Sequence, residues 1–446
     1  MNNNNNPITR DDSQLVLHET KENQKALLVS TYHGSAQLKI CHEHLEELEL
    51  LVKTFGVETV HKIACAIRKF DASIYVGKGK LEELIQIANE KNVDLVIFDD
   101  EITPAQQRNL QKAFNRTVMD RTEVILGVFA QRAQTKEARL QIELAKIKYE
   151  APRLKRLWTH LSRQQGTSGS GGGGAYLKGE GEKQIEIDRR ILKRKIDQLQ
   201  KEIEEVRAHR DIQRTSRIRS EIPVFAIIGY TNAGKSTLLN SLTDADVFVE
   251  DKLFATLDTT TRKFTLKNNQ EILLIDTVGF IRKLPHLLIA AFKSTLEESI
   301  EADILLHLID ASHPMAEEQA ATAHEVLKEL GAGRKPIITV LNKIDKAPSA
   351  SLIHRLRMTY PKNIQISALT HEGFDELQEV MIHELSRQRK LIDVRIPQSE
   401  YAIVSEIMRV GHILTQEYDE NDVVLRVDVP STLANKLSAY CIPEMP

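Results

Sequence analysis

The stretch that decides the fold is residues 224–236, which read Val224-Phe225-Ala226-Ile227-Ile228-Gly229-Tyr230-Thr231-Asn232-Ala233-Gly234-Lys235-Ser236. Its first five residues are apolar, as in a buried strand, and the other eight match the pattern G-x-x-x-x-G-K-S. In this pattern the glycines let backbone N–H groups surround a phosphate, and the next helix adds the positive end of its dipole. We expect Lys235 to bridge the β- and γ-phosphates and Ser236 to bind Mg²⁺.

A second segment, Asp276-Thr277-Val278-Gly279, follows the predicted strand Ile272–Ile275. We expect Asp276 to hold Mg²⁺ through a water molecule and the amide of Gly279 to contact the γ-phosphate. Standing alone, this motif reads equally well as a turn after a strand.

Two further segments predict guanine recognition. Pro336–Leu341 leads into Asn342-Lys343-Ile344-Asp345, and Ile364–Ile366 leads into Ser367-Ala368-Leu369. The carboxylate of Asp345 can accept hydrogen bonds from N1–H and the 2-amino group of guanine, a donor pair that adenine lacks. The stem of Lys343 can lie along the base, and the backbone of residues 367–369 can reach O6. Four segments in this order, each after a strand, predict a GTP site between about Phe225 and about Leu385.

A loop between the phosphate loop and Asp276 has to supply one more oxygen to Mg²⁺. The candidate is Phe254-Ala255-Thr256-Leu257-Asp258-Thr259-Thr260-Thr261-Arg262. Such loops order around the γ-phosphate and relax after hydrolysis. Because the stretch holds four threonines, its chemistry alone leaves the ligand open.

The residue after Gly279 bears on catalysis. Many related GTPases carry a water-orienting glutamine there, whereas this chain has Phe280, which cannot hydrogen-bond to water. We therefore predict slow turnover by the protein alone, with water oriented by another group or by a partner. The predicted catalytic residues are Lys235, Asn232 and Gly279, and the side-chain oxygen of Asn232 is a candidate ligand for K⁺. Thr237 completes the predicted nucleotide contacts of the phosphate loop.

The chain of 446 residues is long enough for several domains, and the predicted class is multi-domain α/β. We expect an N-terminal α/β domain with a long antiparallel helical hairpin, a Ras-like, doubly wound P-loop G domain, and a small α+β C-terminal domain. The predicted boundaries are a disordered tail at 1–24, the α/β domain at 25–134, the hairpin at 135–221, the G domain at 222–390 and the C-terminal domain at 391–446.

The hairpin is predicted from two heptad seams, one from Leu140 to Leu161 and one from Ile185 to Val206, separated by the glycine-rich run Gly166–Gly181. It is either a brace between domains or a probe inserted into a partner. A predominance of basic residues at its tip favours the probe. These residues are Arg153, Lys155, Arg156, Arg163, Lys178 and Lys183.

The bulk composition excludes some classes of protein. The net charge is −3, so a nucleic-acid contact needs a local basic surface, and three dispersed cysteines are typical of a reducing cytosol. No apolar run approaches the ~20 residues of a spanning helix. We expect a soluble, cytoplasmic monomer with at most peripheral membrane association.

From about Ala26 onward the chain resembles the HflX family of ribosome-associated GTPases. The resemblance is carried by the phosphate loop, by Phe254-Ala-Thr-Leu-Asp and by Asp276-Thr-Val-Gly followed by Phe280. Further elements in the N-terminal half that match are Tyr75–Lys80, Gln106–Leu110, Asp120–Thr122, Phe129–Ala133, Pro152–Leu154 and Gly181–Arg190.

The resemblance implies a GTPase that binds the large ribosomal subunit and splits or rescues ribosomes under stress, with Thr256 as the loop ligand of Mg²⁺. Some family members are also reported to use ATP through the N-terminal domain, but Gly77-Lys78-Gly79-Lys80 is a weak candidate and reads better as a turn. The chain departs from the family at Glu180, where proline is usual.

Two other functions fit the same sequence. The protein could be a regulatory adaptor whose GTP state recruits a protein partner through the heptad seams, or a ribosome-assembly factor that acts on a precursor particle.

Overall fold

The structure is a computed structural model. The structure describes residues 24–165, 187, 190–208, 222–243, 253–254, 259–285, 301–333, 335–346, 349–419 and 421–442. The chain divides into two compact units. Unit 1 comprises Met1–Val206, Glu250–Asp258 and Lys283–Lys293, and unit 2 comprises Arg207–Val249, Thr259–Arg282 and Ser294–Pro446.

Unit 1 is built on a four-stranded, fully parallel sheet with the order β2-β1-β3-β4. All four residues of β3 are buried, as expected for a strand covered by helices on both faces. The strands are β1 (Lys25–Tyr32), β2 (Glu58–Ala66), β3 (Leu95–Phe98) and β4 (Thr117–Asp120). The helices are α1 (Leu38–Phe55), α2 (Lys78–Glu90), α3 (Pro104–Phe114) and α4 (Arg121–Arg132).

Side chains at the helix starts show why these helices begin where they do. Thr103 caps α3 by accepting from the N–H of Gln106, while the Gln106 side chain accepts from the N–H of Thr103, which is a capping box. Asp120 caps α4, because its carboxylate accepts from the N–H of Glu123 at 2.9 Å. Residues 78–80, predicted as a turn, instead form the first turn of α2.

Two long helices follow, α5 (Lys136–Gln165) and α6, residues 190–208. Their heptad positions pack together, and Lys195 pairs with Glu143 at 2.7 Å, so the two seams meet as predicted. The buried members are Leu140, Leu144, Ile147, Leu199 and Ile203. The glycine-rich run lies outside the described residues, as do the side chains of the predicted basic tip beyond Arg153.

Arg153 was wrongly assigned to the basic tip. Its guanidinium lies over the ring of Tyr149 at 3.4 Å and donates to Asp120 and to the carbonyl of Ile102, both at 3.1 Å, and to Gln107 at 3.0 Å. Its side chain is 15% exposed. This arginine therefore anchors α5 to the N-terminal sheet and is not available to an external partner.

Charged groups also meet at the carboxyl end of β3 within unit 1. Arg121, 1% exposed, pairs with the fully buried Asp99 at 2.9 Å and with Glu47. Lys283 pairs with Asp99 at 3.2 Å and with Asp100. A buried arginine and a buried carboxylate are tolerated here because each has an ionic partner.

Unit 2 holds a six-stranded sheet with the order β10-β9-β8-β5-β7-β6, parallel except for β6. The strands are β5 (Val224–Gly229), β6 (Thr260–Thr265), β7 (Glu271–Asp276), β8 (Ile304–Asp310), β9 (Ile337–Asn342) and β10 (Asn363–Gln365). The helices described with them are α7 (Lys235–Thr243), α8 (Ala316–Glu329), α9 (Ala350–Thr359) and α10 (Phe374–Gln388).

The C-terminal part of unit 2 is an antiparallel sheet with the order β11-β13-β12. Alternate residues of β13 are buried against α11, which fits a sheet with one covered face. Strand β12 was not predicted from the sequence, because its apolar residues, Ile413, Leu414 and Tyr418, do not alternate regularly with polar ones. The elements are β11 (Arg389–Pro397), α11 (Tyr401–Val410), β12 (His412–Asp419), β13 (Asp422–Pro430) and α12 (Ser431–Lys436).

Among the described residues, no helix combines the length and the apolar character that a membrane span requires.

Candidate functional site

The candidate site lies where the parallel strands of unit 2 reach their carboxyl ends. Strand β5 is central, with β7 on one side and β8 on the other, so the chain connections diverge there. Ligands of open α/β sheets bind at such a switch point. The predicted phosphate loop joins β5 to α7 at this place.

Two glycines of the phosphate loop have no room for a side chain. Gly229 has φ +150°, and a Cβ there would lie 2.3 Å from the carbonyl oxygen of Leu308. Gly234 has φ +95°, and its Cβ would lie 2.4 Å from Nδ2 of Asn342. The glycines of the motif are therefore required by backbone conformation and by packing.

Lys235 and Ser236 stand at the start of α7, beside Asp276 at the end of β7. The Lys235 Nζ donates to the carbonyl oxygen of Tyr230 at 2.8 Å. Burial lowers the pKa of Lys235 to about 8, and the nearby Asp276 carboxylate opposes that change. The Ser236 hydroxyl donates to Oδ2 of Asp276 at 2.6 Å. A hydroxyl beside a fully buried carboxylate is a donor set that suits Mg²⁺.

The segment after β7 lies alongside the phosphate loop. The N–H of Phe280 donates to Gly229 O at 3.0 Å, and the N–H of Thr231 donates to Phe280 O at 2.7 Å. The hydroxyl of Tyr230 accepts from the N–H of Arg282 at 2.7 Å. These bonds bring Gly279 against the loop, while the Phe280 side chain is buried and 1% exposed.

A single amide joins the phosphate loop to both predicted guanine loops. Nδ2 of Asn342 donates to Ala233 O at 2.8 Å, and its Oδ1 accepts from the N–H of Ala368 at 2.9 Å. Lys343 Nζ donates to Asn232 O at 2.8 Å, and Asp345 is exposed.

The remaining predicted residues of these loops occupy the same end of the sheet. Thr277 donates to Ile227 O at 2.7 Å, and Ser367 is fully buried. Leu369 is 69% exposed. The others are Thr237 in α7, Val278 between Thr277 and Gly279, and Ile344 in the short helix that follows β9.

The middle of the predicted Mg²⁺-binding loop lies outside the described residues. Residues 255–258, including Thr256, are not among the described residues. Phe254 is described in unit 1, where its ring lies 4.5 Å from that of Phe129.

Sequence reasoning missed Asp310, which ends β8 and pairs with Lys343 at 2.8 Å. It also accepts from the N–H of Ser312 at 3.0 Å. The available signal was that Asp310 is a carboxylate at the carboxyl end of a parallel strand. The carboxyl ends of parallel strands meet at one edge of the sheet, where the other site residues lie.

Comparison with known proteins gives consistent matches along the chain. Three family models match: "GTP-binding GTPase N-terminal" at residues 42–130, "GTP-binding GTPase Middle Region" at 132–217, and "50S ribosome-binding GTPase" at 224–343. A protein of Chlamydia pneumoniae named GTPase HflX is 45% identical over 94% of this chain and 89% of its own length. A protein of the same name from Escherichia coli K12 is 40% identical over 87% of this chain and 90% of its own.

Among solved structures, a GTP-binding protein of Sulfolobus solfataricus in complex with GDP is 27% identical. The match covers 81% of this chain and 98% of that one, with a TM-score of 0.43.

Proposed function

Because the chain belongs to the HflX family and is therefore a GTP-binding and GTP-hydrolysing protein, we propose that it is a GTP-controlled switch that docks on the large ribosomal subunit. It would dissociate or rescue ribosomes under stress. The observation that carries the ribosomal part is the match of residues 224–343 to a family described as "50S ribosome-binding GTPase". The GTP state would favour the bound form and hydrolysis the released form.

In this proposal Lys235 bridges the β- and γ-phosphates, and the amide of Gly279 contacts the γ-phosphate. Ser236 and Thr256 would hold Mg²⁺ directly and Asp276 through water. The 2.6 Å contact between Ser236 and Asp276 supports the pairing of these oxygens around one cation. The bound cation supplies neutralisation of the phosphate charge.

Guanine selection is assigned to Asp345, with the stem of Lys343 along the base and the backbone of residues 367–369 at O6. The contacts of Asn342 with Ala233 and Ala368 support this assignment, because they hold the base-binding and phosphate-binding loops side by side.

We assign K⁺ binding to the side-chain oxygen of Asn232, which is exposed and has φ +60°. We also expect the isolated protein to turn over slowly, because the side chain that follows Gly279 is the buried ring of Phe280.

The domain division predicted from sequence, with boundaries near residues 25, 135, 222 and 391, is part of the proposal, as are a cytoplasmic location and a monomeric state. The first family model ends at residue 130 and the second begins at 132, which supports the boundary near residue 135. The third family model begins at residue 224, which supports the boundary near residue 222.

The proposal is tested by GTP turnover of the purified protein with and without large ribosomal subunits, in K⁺ buffer, with a Lys235→Ala control. We expect a large stimulation that the control lacks. Turnover that large subunits leave unchanged would contradict the ribosomal part. Parallel assays in K⁺ and Na⁺ test the assignment of Asn232, since equal rates would contradict it.

The adaptor alternative needs a helical seam that is free to pair with another protein. Leu140, Ile147 and Leu199 of the two seams are buried against one another, which weighs against that alternative. The ribosome-assembly alternative uses the same GTP site and differs only in the ribosomal particle to which the protein binds. Co-sedimentation with a precursor particle, in preference to the mature large subunit, would favour it.

A further inference from the structure

Thr231 lies where the phosphate loop meets the segment after β7. Its N–H is bonded to Phe280 O at 2.7 Å. A Cβ built on Gly279 would lie 2.8 Å from the Cα of Thr231, 2.9 Å from its Cγ2 and 2.8 Å from Lys235 Nζ. The side chain of Thr231, the backbone of Gly279 and the ammonium of Lys235 thus converge on one small space.

The hydroxyl of Thr231 is buried, and it has no hydrogen-bond partner among the described residues. The residue as a whole is 6% exposed. Buried hydroxyls in native proteins are nearly always paired, so each exception needs a physical reason. In a nucleotide-binding loop, a ligand oxygen is the partner that this position would meet.

The neighbouring groups define what that ligand is. An ammonium and backbone amides favour an anion, and a threonine hydroxyl can donate to an anionic oxygen while accepting from water. The methyl group of Thr231 faces Gly279 in the structure. One staggered step of about 120° in χ1 brings the hydroxyl to the present position of the methyl group, while the methyl group moves to the position of the Cβ hydrogen. The hydroxyl can therefore reach the space between Gly279 and Lys235 without movement of the backbone.

The chain lacks a water-orienting side chain directly after Gly279. Phe280 occupies that position, and its ring is buried. Its carbonyl is already used by the N–H of Thr231. A hydroxyl next to Gly279 on the phosphate-loop side would supply the missing hydrogen bonds.

We propose that Thr231 is a catalytic residue whose hydroxyl donates to the γ-phosphate of GTP and accepts a hydrogen bond from the attacking water. In the reaction the water oxygen bonds to the γ-phosphorus while the bond from that phosphorus to the β–γ bridging oxygen breaks. GDP leaves with the electron pair, and the water proton ends on the released phosphate. Thr231 makes and breaks hydrogen bonds only. This role rests on the proposed position of the γ-phosphate at Lys235 and Gly279.

The test is single-turnover GTP hydrolysis by full-length Thr231→Val, with GDP affinity measured alongside. Valine keeps the shape of threonine and removes the hydroxyl. We expect the rate at saturating GTP to fall at least about tenfold, because a lost hydrogen bond to the transition state lowers kcat. The dissociation constant for GDP, which has no γ-phosphate, should stay within about threefold.

Two further variants separate catalysis from structure. Thr231→Ser restores the hydroxyl and should recover most of the rate. Thr339→Val makes the same change at a 4% exposed threonine of β9 and should leave the rate unchanged. A Thr231→Val variant that hydrolyses GTP at the parent rate, or that loses rate only in proportion to GDP affinity, would overturn the proposal.

The Lys235→Ala variant tests the underlying nucleotide site separately. If Lys235→Ala binds GTP as tightly as the parent does, the assigned position of the phosphates is wrong. If it loses GTP binding while Thr231→Val matches the parent, only the role of Thr231 fails.

Discussion

His307 on β8 makes the stability of unit 2 depend on pH in a predictable direction. Its ring is fully buried, and neither ring nitrogen has a hydrogen-bond partner among the described residues. The ring centroid lies 4.8 Å from that of His324, which stacks on Tyr360 at 5.4 Å. Burial, with a smaller contribution from His324, lowers the pKa of His307 from 6.5 to about 3.

The sign follows from proton binding in the two states. The unfolded chain takes up a proton near pH 6.5, whereas the folded protein resists it down to about pH 3. Between these values the unfolded state binds more protons, so acidification favours unfolding by about 1.4 kcal/mol per pH unit. From pH 7 to pH 5 the free energy of unfolding should fall by about 2 kcal/mol on account of His307. Burial also lowers the pKa of His324, which adds a change of the same sign.

The assay is urea unfolding of the parent and of His307→Phe at pH 7 and pH 5, followed by circular dichroism. GDP identifies the relevant transition, because a ligand raises the midpoint of the domain that binds it. We expect His307→Phe to lose less stability on acidification than the parent does, by about 2 kcal/mol. The matched control is His383→Gln, since His383 is exposed. The reasoning is refuted if His307→Phe and the parent lose equal stability between the two pH values.

Three other variants test separate parts of the structure. Gly234→Ala should weaken GDP binding and lower stability by about 2 kcal/mol, because it adds left-handed strain and displaces the amide of Asn342; calorimetric titration with GDP checks this. Asp345→Asn should lose GTP affinity at least about a hundredfold and gain affinity for xanthosine triphosphate, whose 2-oxo group can accept from the new amide; competition binding measures both. Arg153→Met should destabilise unit 1 by about 3 kcal/mol, because the buried carboxylate of Asp120 loses its ionic partner; a melting temperature equal to the parent's would contradict it.

The G domain was predictable because its signals are local. A buried apolar strand, a glycine-rich turn and a helix start follow one another in residues 224–236, and each is visible without knowledge of the rest of the chain. The structure brings the other motifs to the same sheet edge because all of them follow parallel strands.

The features that sequence reasoning missed depend on contacts between distant residues. Arg153 resembled a member of a basic surface, and only its position beside Tyr149 and Asp120 shows that it faces inward. Asp99 and Lys283 are 184 residues apart, and no local pattern marks them as a pair. Strand β12 was missed for a different reason. Its apolar residues, Ile413, Leu414 and Tyr418, do not alternate regularly with polar ones, and the strand depends on pairing with β13.

The side-chain amide of Asn342 couples the local unfolding of the two loops that it joins. Because it is bonded to Ala233 at one end and Ala368 at the other, neither loop can detach from it without leaving a buried polar group unpaired. The shared loss couples the opening of the two loops into one cooperative event. The backbone amides of these two loops lie more than a hundred residues apart in the chain. They should nevertheless exchange their protons with solvent at a common rate.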